Sequence, residues 1–399
     1  MERSWPLGEL MKILHMNPAF YPAFAYGGTV NVSYNLCKEL VKRGHDVTVY
    51  TSDTIDEHKR HLQRYSIQEG IKIHYFKNLS NSLAWRRFFF YPGLIIALKN
   101  NIQRFDVIHL HDLRNFQNIV AVYYAKKFGK PYVLQAHGAL PHLSHRGMMK
   151  EVFDRLFGKN ILDNLSKALA LNQTEYEQYV SMGVPRERIV IFPNGLNRSE
   201  PIPRSRGEFK KKNGIDPNER IILYVGRIHK TKGLDILLRA FAIVNKTEKD
   251  TLLVLIGPDD DFKDELDRLA ERLKIQDRIR FLGFVSSHDK YAAYADSEVF
   301  ATPKYSGFPI TFLEACASGL PIVTTTAGDT LEWIHDNVGL VAENDEEQIA
   351  ASLIRILSDP SLRKRYGERG KALVADEFNW DSIVERLEDI YSDVISEVK

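Results

Sequence analysis

The chain has 399 residues, 44% of them hydrophobic and 27% charged, with a formal net charge of +2. That length exceeds one ordinary hydrophobic core and points to two domains. The composition excludes a disordered chain and gives no sign of a nucleic-acid partner.

Two cysteines, Cys37 and Cys316, lie far apart in sequence and are expected as reduced thiols of a cytoplasmic protein. No secretory segment opens the chain, and no apolar run is long enough to span a bilayer. Residues 1–10 fit no strand pattern, so the fold is expected to begin at Met11. Charge is divided unevenly. Residues 1–200 carry 26 Lys and Arg against 17 Asp and Glu, whereas residues 201–399 carry 28 against 35. Unlike halves suggest unlike partners.

In chain order, short apolar runs at 11–18, 46–51, 71–76, 106–112, 131–138, 168–172 and 188–195 read as strands. Several are apolar on both faces, as parallel strands covered by helices are. Helical periods such as Thr29–Arg43 and Asn115–Lys127 separate them. A proline-containing, charged stretch at 197–208 has no hydrophobic period and reads as a linker. The rhythm restarts at 220–227, 252–258, 279–285, 298–303, 321–328 and 338–343, and a last amphipathic helix covers 378–398. The expected fold class is α/β, with two Rossmann-like doubly wound domains facing across a cleft. The boundaries are 1–200, 201–377 and a C-terminal helix, 378–399, crossing back to the first domain.

Gly27 and Gly28 fall between the first strand and the first helix, where backbone can approach a ligand closely. The pattern lacks the GxGxxG spacing and the acidic partner of a dinucleotide site, so no NAD or FAD cofactor is expected. His109 and His111 share a strand face, but only Asp112 adds to them, and no metal is expected. His137, with Gly138 after it, closes a strand and is placed to hydrogen-bond a sugar hydroxyl.

In GRIHKTKG (226–233), Arg227 and Lys232 set two cations beside a helix start, a pattern suited to a diphosphate. GFPITFLEACASGLP (307–321) is a loop entering a short helix whose first N–H groups, at Ile310 and Thr311, face outward from the helix end. Glu314 lies one turn in among small and apolar residues. Two readings are open for that carboxylate, ribose hydroxyls or a buried ion pair.

Together these motifs resemble the retaining glycosyltransferases of family 4, which have the GT-B fold. The resemblance rests on Gly27–Gly28, GHDVTVYT (44–51), HG (137–138), PNG (193–195), GRIHKTKG, FLGFV (281–285), GFPITFLEACASGLPIV (307–323) and FNW (378–380). It implies transfer of a sugar from a nucleoside-diphosphate sugar to a saccharide or lipid-linked acceptor, without a metal. The same resemblance makes Arg227 and Lys232 the diphosphate ligands and Glu314 the ribose ligand, with His137 on the transferred sugar. Gly27 and Gly28 would be donor-binding, with Gly28 covering the phosphates or the reacting centre; Phe284 and Val285 would meet the base, and the backbone of Gly307, Phe308 and Ile310 would hold sugar hydroxyls and a phosphate. Where the family carries a second glutamate, this chain has Ser306.

Two alternatives accompany that reading, a nucleotide-sugar epimerase of the same fold and a catalytically weak binding subunit. Residues 82–102 mix Trp85, Phe88–Phe90 and Tyr91 with Arg86 and Arg87, and 142–167 is also basic. Such segments either meet anionic lipid at the inner face of the cell membrane or cover the sheet as core.

Overall fold

The computed structural model describes residues 10–140, 147–197, 206–329 and 331–398. Most of the expected linker, the start of the second basic stretch and nearly all of the first ten residues lie outside them. The chain divides into two compact units, Met1–Asn194 with Trp380–Lys399, and Gly195–Asn379.

The first unit is built on β1 (Lys12–Met16), β2 (Asp46–Ser52), β3 (Tyr65–Gln68), β4 (Ile71–Phe76), β5 (Val107–His111), β6 (Tyr132–Gln135), β7 (Lys167–Ala170) and β8 (Ile189–Ile191). They form one sheet in the order β3-β4-β2-β1-β5-β6-β7-β8. All neighbours are parallel except β3 and β4. The central strands are buried along their whole length, as their two-faced apolar sequences require. Strand β3 was not anticipated. Its sequence, YSIQ, is polar and partly exposed, so no apolar run marks it. What makes it a strand is the two-residue turn Glu69–Gly70, both at positive φ (48° and 83°), which folds it back onto β4.

Helix ends in this unit are set by side chains. Asn115 caps the helix Phe116–Phe128 by accepting from the Asn118 N–H, and Asn172 caps Gln173–Ser181 by accepting from that of Glu175. The helix Trp380–Ser396 packs on the helix Gly28–Lys42 and on β5. Its Glu388 carboxylate bridges Arg43 (2.9 Å) and His45 (2.7 Å).

The second unit carries β9 (Arg220–Val225), β10 (Thr251–Ile256), β11 (Ile279–Phe281), β12 (Val299–Thr302), β13 (Ile322–Thr325) and β14 (Gly339–Ala342). Their order is β11-β10-β9-β12-β13-β14, all parallel. Each unit has its own buried apolar core, one around Leu14, Ile108 and Leu134, the other around Ile222, Leu253 and Phe241. In each sheet the strand order reverses beside the unit's first strand, between β1 and β5 and between β9 and β12. Loops leaving such a reversal at the carboxyl ends of the strands are where open α/β sheets bind ligands. Among the described residues no helix is long and apolar enough to cross a membrane.

Candidate active site

In the second unit, the loops after β9 and β12 meet. Gly233 has φ +68, and a Cβ there would sit 3.3 Å from Pro303, so the turn after β9 packs directly against the segment leaving β12. Glycine fits both demands, the left-handed backbone and the close approach.

Arg227 and Lys232 stand on this turn, close enough that the Arg227 charge acts on Lys232. Arg227 forms an exposed ion pair with Asp260 (2.7 Å). Lys232 has no carboxylate partner among the described residues. Its ammonium is held below its ordinary pKa, first by burial and then by Arg227. Two neighbouring cations, one of them partly buried and with no carboxylate partner among the described residues, make a site for a polyanion.

After β12 the chain reaches Tyr305, exposed Ser306 and Gly307, whose N–H donates to the Asp329 carboxylate. The buried Phe308 ring packs against Trp333 and Phe378. The helix Ile310–Ala317 follows, with Pro309 before it, and the N–H groups of Ile310 and Thr311 have no intrahelical acceptor by position.

One turn in, Glu314 is 6% exposed. Lys290 donates to one carboxylate oxygen and the Tyr294 hydroxyl to the other at 3.1 Å. The buried ion pair is therefore present, and Lys290 and Tyr294 are the partners that sequence reading missed. They lie one helical turn apart on Ser287–Asp296, a helix whose sequence gave no sign of pairing with position 314. Phe284, 87% exposed, and the less exposed Val285 lie on the loop before that helix.

In the first unit, Gly27 has φ +98 and Gly28 begins the helix Gly28–Lys42, with open space where its Cβ would be. The Arg87 guanidinium donates to the Tyr26 carbonyl (2.7 Å) and lies over the Tyr26 ring. Arg87, an exposed residue like Arg86, thereby braces the backbone just before the glycine turn. Its charge also reaches Asp112, which follows β5 at φ +57 and whose carboxyl burial pushes up to about 6.

His137 follows β6 at φ +54, with Gly138 at +78. Buried Glu175 holds this turn by accepting from the N–H groups of Gly138 (2.6 Å) and Leu171 (2.7 Å). Desolvation pushes the His137 imidazole down to about 3, so the ring is neutral. His137 Nε2 pairs with His111 Nδ1 at 2.8 Å. Both cysteines are free and buried, and burial raises both thiols.

Residues 205–373 match the family described as Glycosyl transferases group 1, and residues 26–200 match Glycosyltransferase Family 4. The N-acetyl-alpha-D-glucosaminyl L-malate synthase of Bacillus anthracis is 26% identical over 95% of this chain and 97% of its own. The lipopolysaccharide glucosyltransferase WaaG of Escherichia coli K12 is 28% identical, covering 93% and 96%. The structure of Anabaena HepE in complex with UDP-glucose superposes with a TM-score of 0.72 at 19% identity, covering 97% of this chain and all of that one. None of these findings supports the epimerase alternative. Two parallel-sheet units, the order of their motifs and both family matches agree: the chain belongs to the family 4 glycosyltransferases and has their GT-B fold.

Proposed function

We propose that this glycosyltransferase moves a sugar, with retention of anomeric configuration, from a nucleoside-diphosphate sugar to a saccharide or lipid-linked acceptor. The observation that carries the donor reading is Lys232, a desolvated cation with no carboxylate partner among the described residues, next to Arg227. Donor phosphates would displace Asp260 from Arg227, at small cost, since an exposed pair is worth roughly 0–1 kcal/mol. The two cations then stabilise the charge that builds on the departing diphosphate, which assigns to side chains the work a metal does elsewhere. HepE, a structural neighbour, binds UDP-glucose, which favours a donor of that kind here.

Glu314 anchors the ribose in this reading. A carboxylate has about four acceptor positions, so ribose hydroxyls can share it with Lys290 and Tyr294. The base stacks on exposed Phe284 beside Val285, and the backbone of Gly307, Phe308 and Ile310 binds sugar hydroxyls and a phosphate. Ser306, exposed beside Gly307, offers the donor sugar a neutral hydroxyl in place of a carboxylate. Gly28, after Gly27, leaves room for ligand at a helix N-terminus, and His137 meets a sugar oxygen.

A lipid-linked acceptor is favoured by the surface of the first unit. Within 82–102, Ala84, Phe89, Tyr91, Leu94 and Leu98 are core, but Trp85, Phe88, Phe90 and Ile96 are exposed between them. Met148, Met149 and Leu156 in the second basic stretch are exposed as well. Apolar side chains beside cations suit the interface of an anionic membrane at the inner face of the cell, where peripheral contact would bring the enzyme to its acceptor. WaaG, named for lipopolysaccharide, is consistent with an acceptor of this class.

Thermal-shift measurements against UDP, GDP and ADP sugars test the donor, since a ligand at a hundredfold excess over Kd stabilises by roughly 2.7 kcal/mol. Labelled donor with candidate acceptors then tests transfer. Binding without label in any larger product would favour the weak binding subunit, and no shift with any nucleotide sugar would refute the reading.

A further inference from the structure

Strands β1, β5 and β6 are neighbours, and their register puts His15 opposite His109. His111 lies two residues on from His109 on the same face, and His137 follows the end of β6. The four imidazoles form a stacked ladder, with centroid separations of 4.8 Å for His15–His109, 4.3 Å for His109–His111 and 5.1 Å for His111–His137. Their nitrogens are joined in a chain, His15 Nδ1 to His111 Nε2 at 2.9 Å and His111 Nδ1 to His137 Nε2 at 2.8 Å. His109 Nδ1 pairs instead with the Tyr391 hydroxyl at 2.6 Å.

Burial keeps the rings neutral. It pushes His15 down to about 3 and holds His109 and His111 well below the usual histidine range. A neutral imidazole donates from one nitrogen and accepts at the other, so the chain His15–His111–His137 has one polarity throughout. Its far end decides which. His15 Nε2 is buried with no hydrogen-bond partner among the described residues. An unpaired acceptor there is tolerated better than an unpaired N–H. The His15 proton therefore belongs on Nδ1, donated to His111 Nε2, and the His111 proton on Nδ1, donated to His137 Nε2. His137 then carries its own proton on Nδ1, which has no partner among the described residues.

We propose that His15 and His111 are positioning residues that lock His137 as the Nδ1–H tautomer, so that it meets substrate as a neutral hydrogen-bond donor to a carbohydrate or phosphate oxygen. The functional half rests on the reading that His137 touches substrate; the tautomer does not. A metal is the competing use of the cluster, because His15, His109 and His111 each bring a nitrogen within 4.8 Å of the others. Their planes are nearly parallel, between 6° and 29° apart, so the in-plane lone pairs run side by side and do not converge on one point, and both nitrogens of His111 are already bonded to other histidines, although His15 Nε2 and His109 Nε2 have no partner among the described residues.

Long-range proton–nitrogen NMR on 15N-histidine-labelled full-length protein tests the tautomer directly, with His137→Phe used to assign the ring. Expected is a protonated Nδ1 and an unprotonated Nε2 on His137. His111→Phe keeps a ring in the stack and removes both nitrogens. It should turn His137 into a tautomer mixture and lower kcat about tenfold, with KM for the nucleotide sugar unchanged. Should that variant fail to fold, the wild-type spectrum still decides. An Nε2–H tautomer on wild-type His137 overturns the proposal. So does stoichiometric zinc binding that shifts the His15, His109 and His111 nitrogens. Full activity in His137→Phe alongside the expected spectrum overturns the substrate contact, and with it the functional half.

Discussion

Replacing Lys290 with methionine should destabilise the second unit by an amount the Glu314 environment sets. The Glu314 side chain is 8% exposed and that of Lys290 is 25% exposed. Removing one partner of a fully buried pair costs roughly 3–5 kcal/mol, whereas a surface pair is worth roughly 0–1. Partial exposure of Lys290 and the retained Tyr294 bond place Lys290→Met between these limits, at about 2–3 kcal/mol. For a unit of this size that is a fall of about 4–12 °C in the calorimetric midpoint. Adding Glu314→Gln removes the stranded charge, and the amide still bonds Tyr294, so the double variant should recover part of the loss. A midpoint unchanged within about a degree, or strictly additive effects in the cycle, would refute the buried-pair argument. The same cycle separates the two uses of Glu314. If the carboxylate only balances Lys290, the double variant binds donor normally. If it also holds the ribose, donor binding stays impaired after stability is restored.

Lys232→Ala should weaken nucleoside-diphosphate binding by roughly 1.5–3 kcal/mol in calorimetry, and unchanged binding would remove Lys232 from the site. Because the Lys232 ammonium is held below its ordinary pKa of 10.5, diphosphate affinity is full while it is protonated and falls as pH rises through that lowered value. Lys232→Arg should shift that loss to higher pH, and an identical profile in both proteins would show that another group governs it. Ser306→Glu should change the preference among sugars of one nucleotide while leaving affinity for the free diphosphate within about twofold, measured by competition. Replacing Trp85 and Phe88 with serine together with Arg86→Glu should reduce sedimentation with anionic vesicles at low salt, each cation near such a surface contributing about 1 kcal/mol. Wild-type protein that fails to sediment would favour a soluble saccharide acceptor.

Local pattern and tertiary pairing were unequally legible in this chain. Parallel strands covered on both faces must be apolar along their length, so all but one were visible as short runs, and the turns after them carried the glycines and cations. Strand β3 escaped because an edge strand held by a two-residue turn needs no apolar run. Arg227, Lys232 and Glu314 were visible because a charge at a strand end or on an apolar helix face calls for a partner. Which partner was not visible, since Asp260, Lys290 and Tyr294 come from elements whose packing no local pattern encodes. The histidines show the limit most sharply. The HLHD spacing gave two rings on one strand face, with only Asp112 beside them and no metal expected. Register with β1 added His15, and the end of β6 added His137, and only that combination gives the middle ring a bond at each nitrogen. A residue at a strand end can be read as a substrate ligand from sequence. The atom that carries its proton is set by neighbours from other strands, and so appears only once the sheet is assembled.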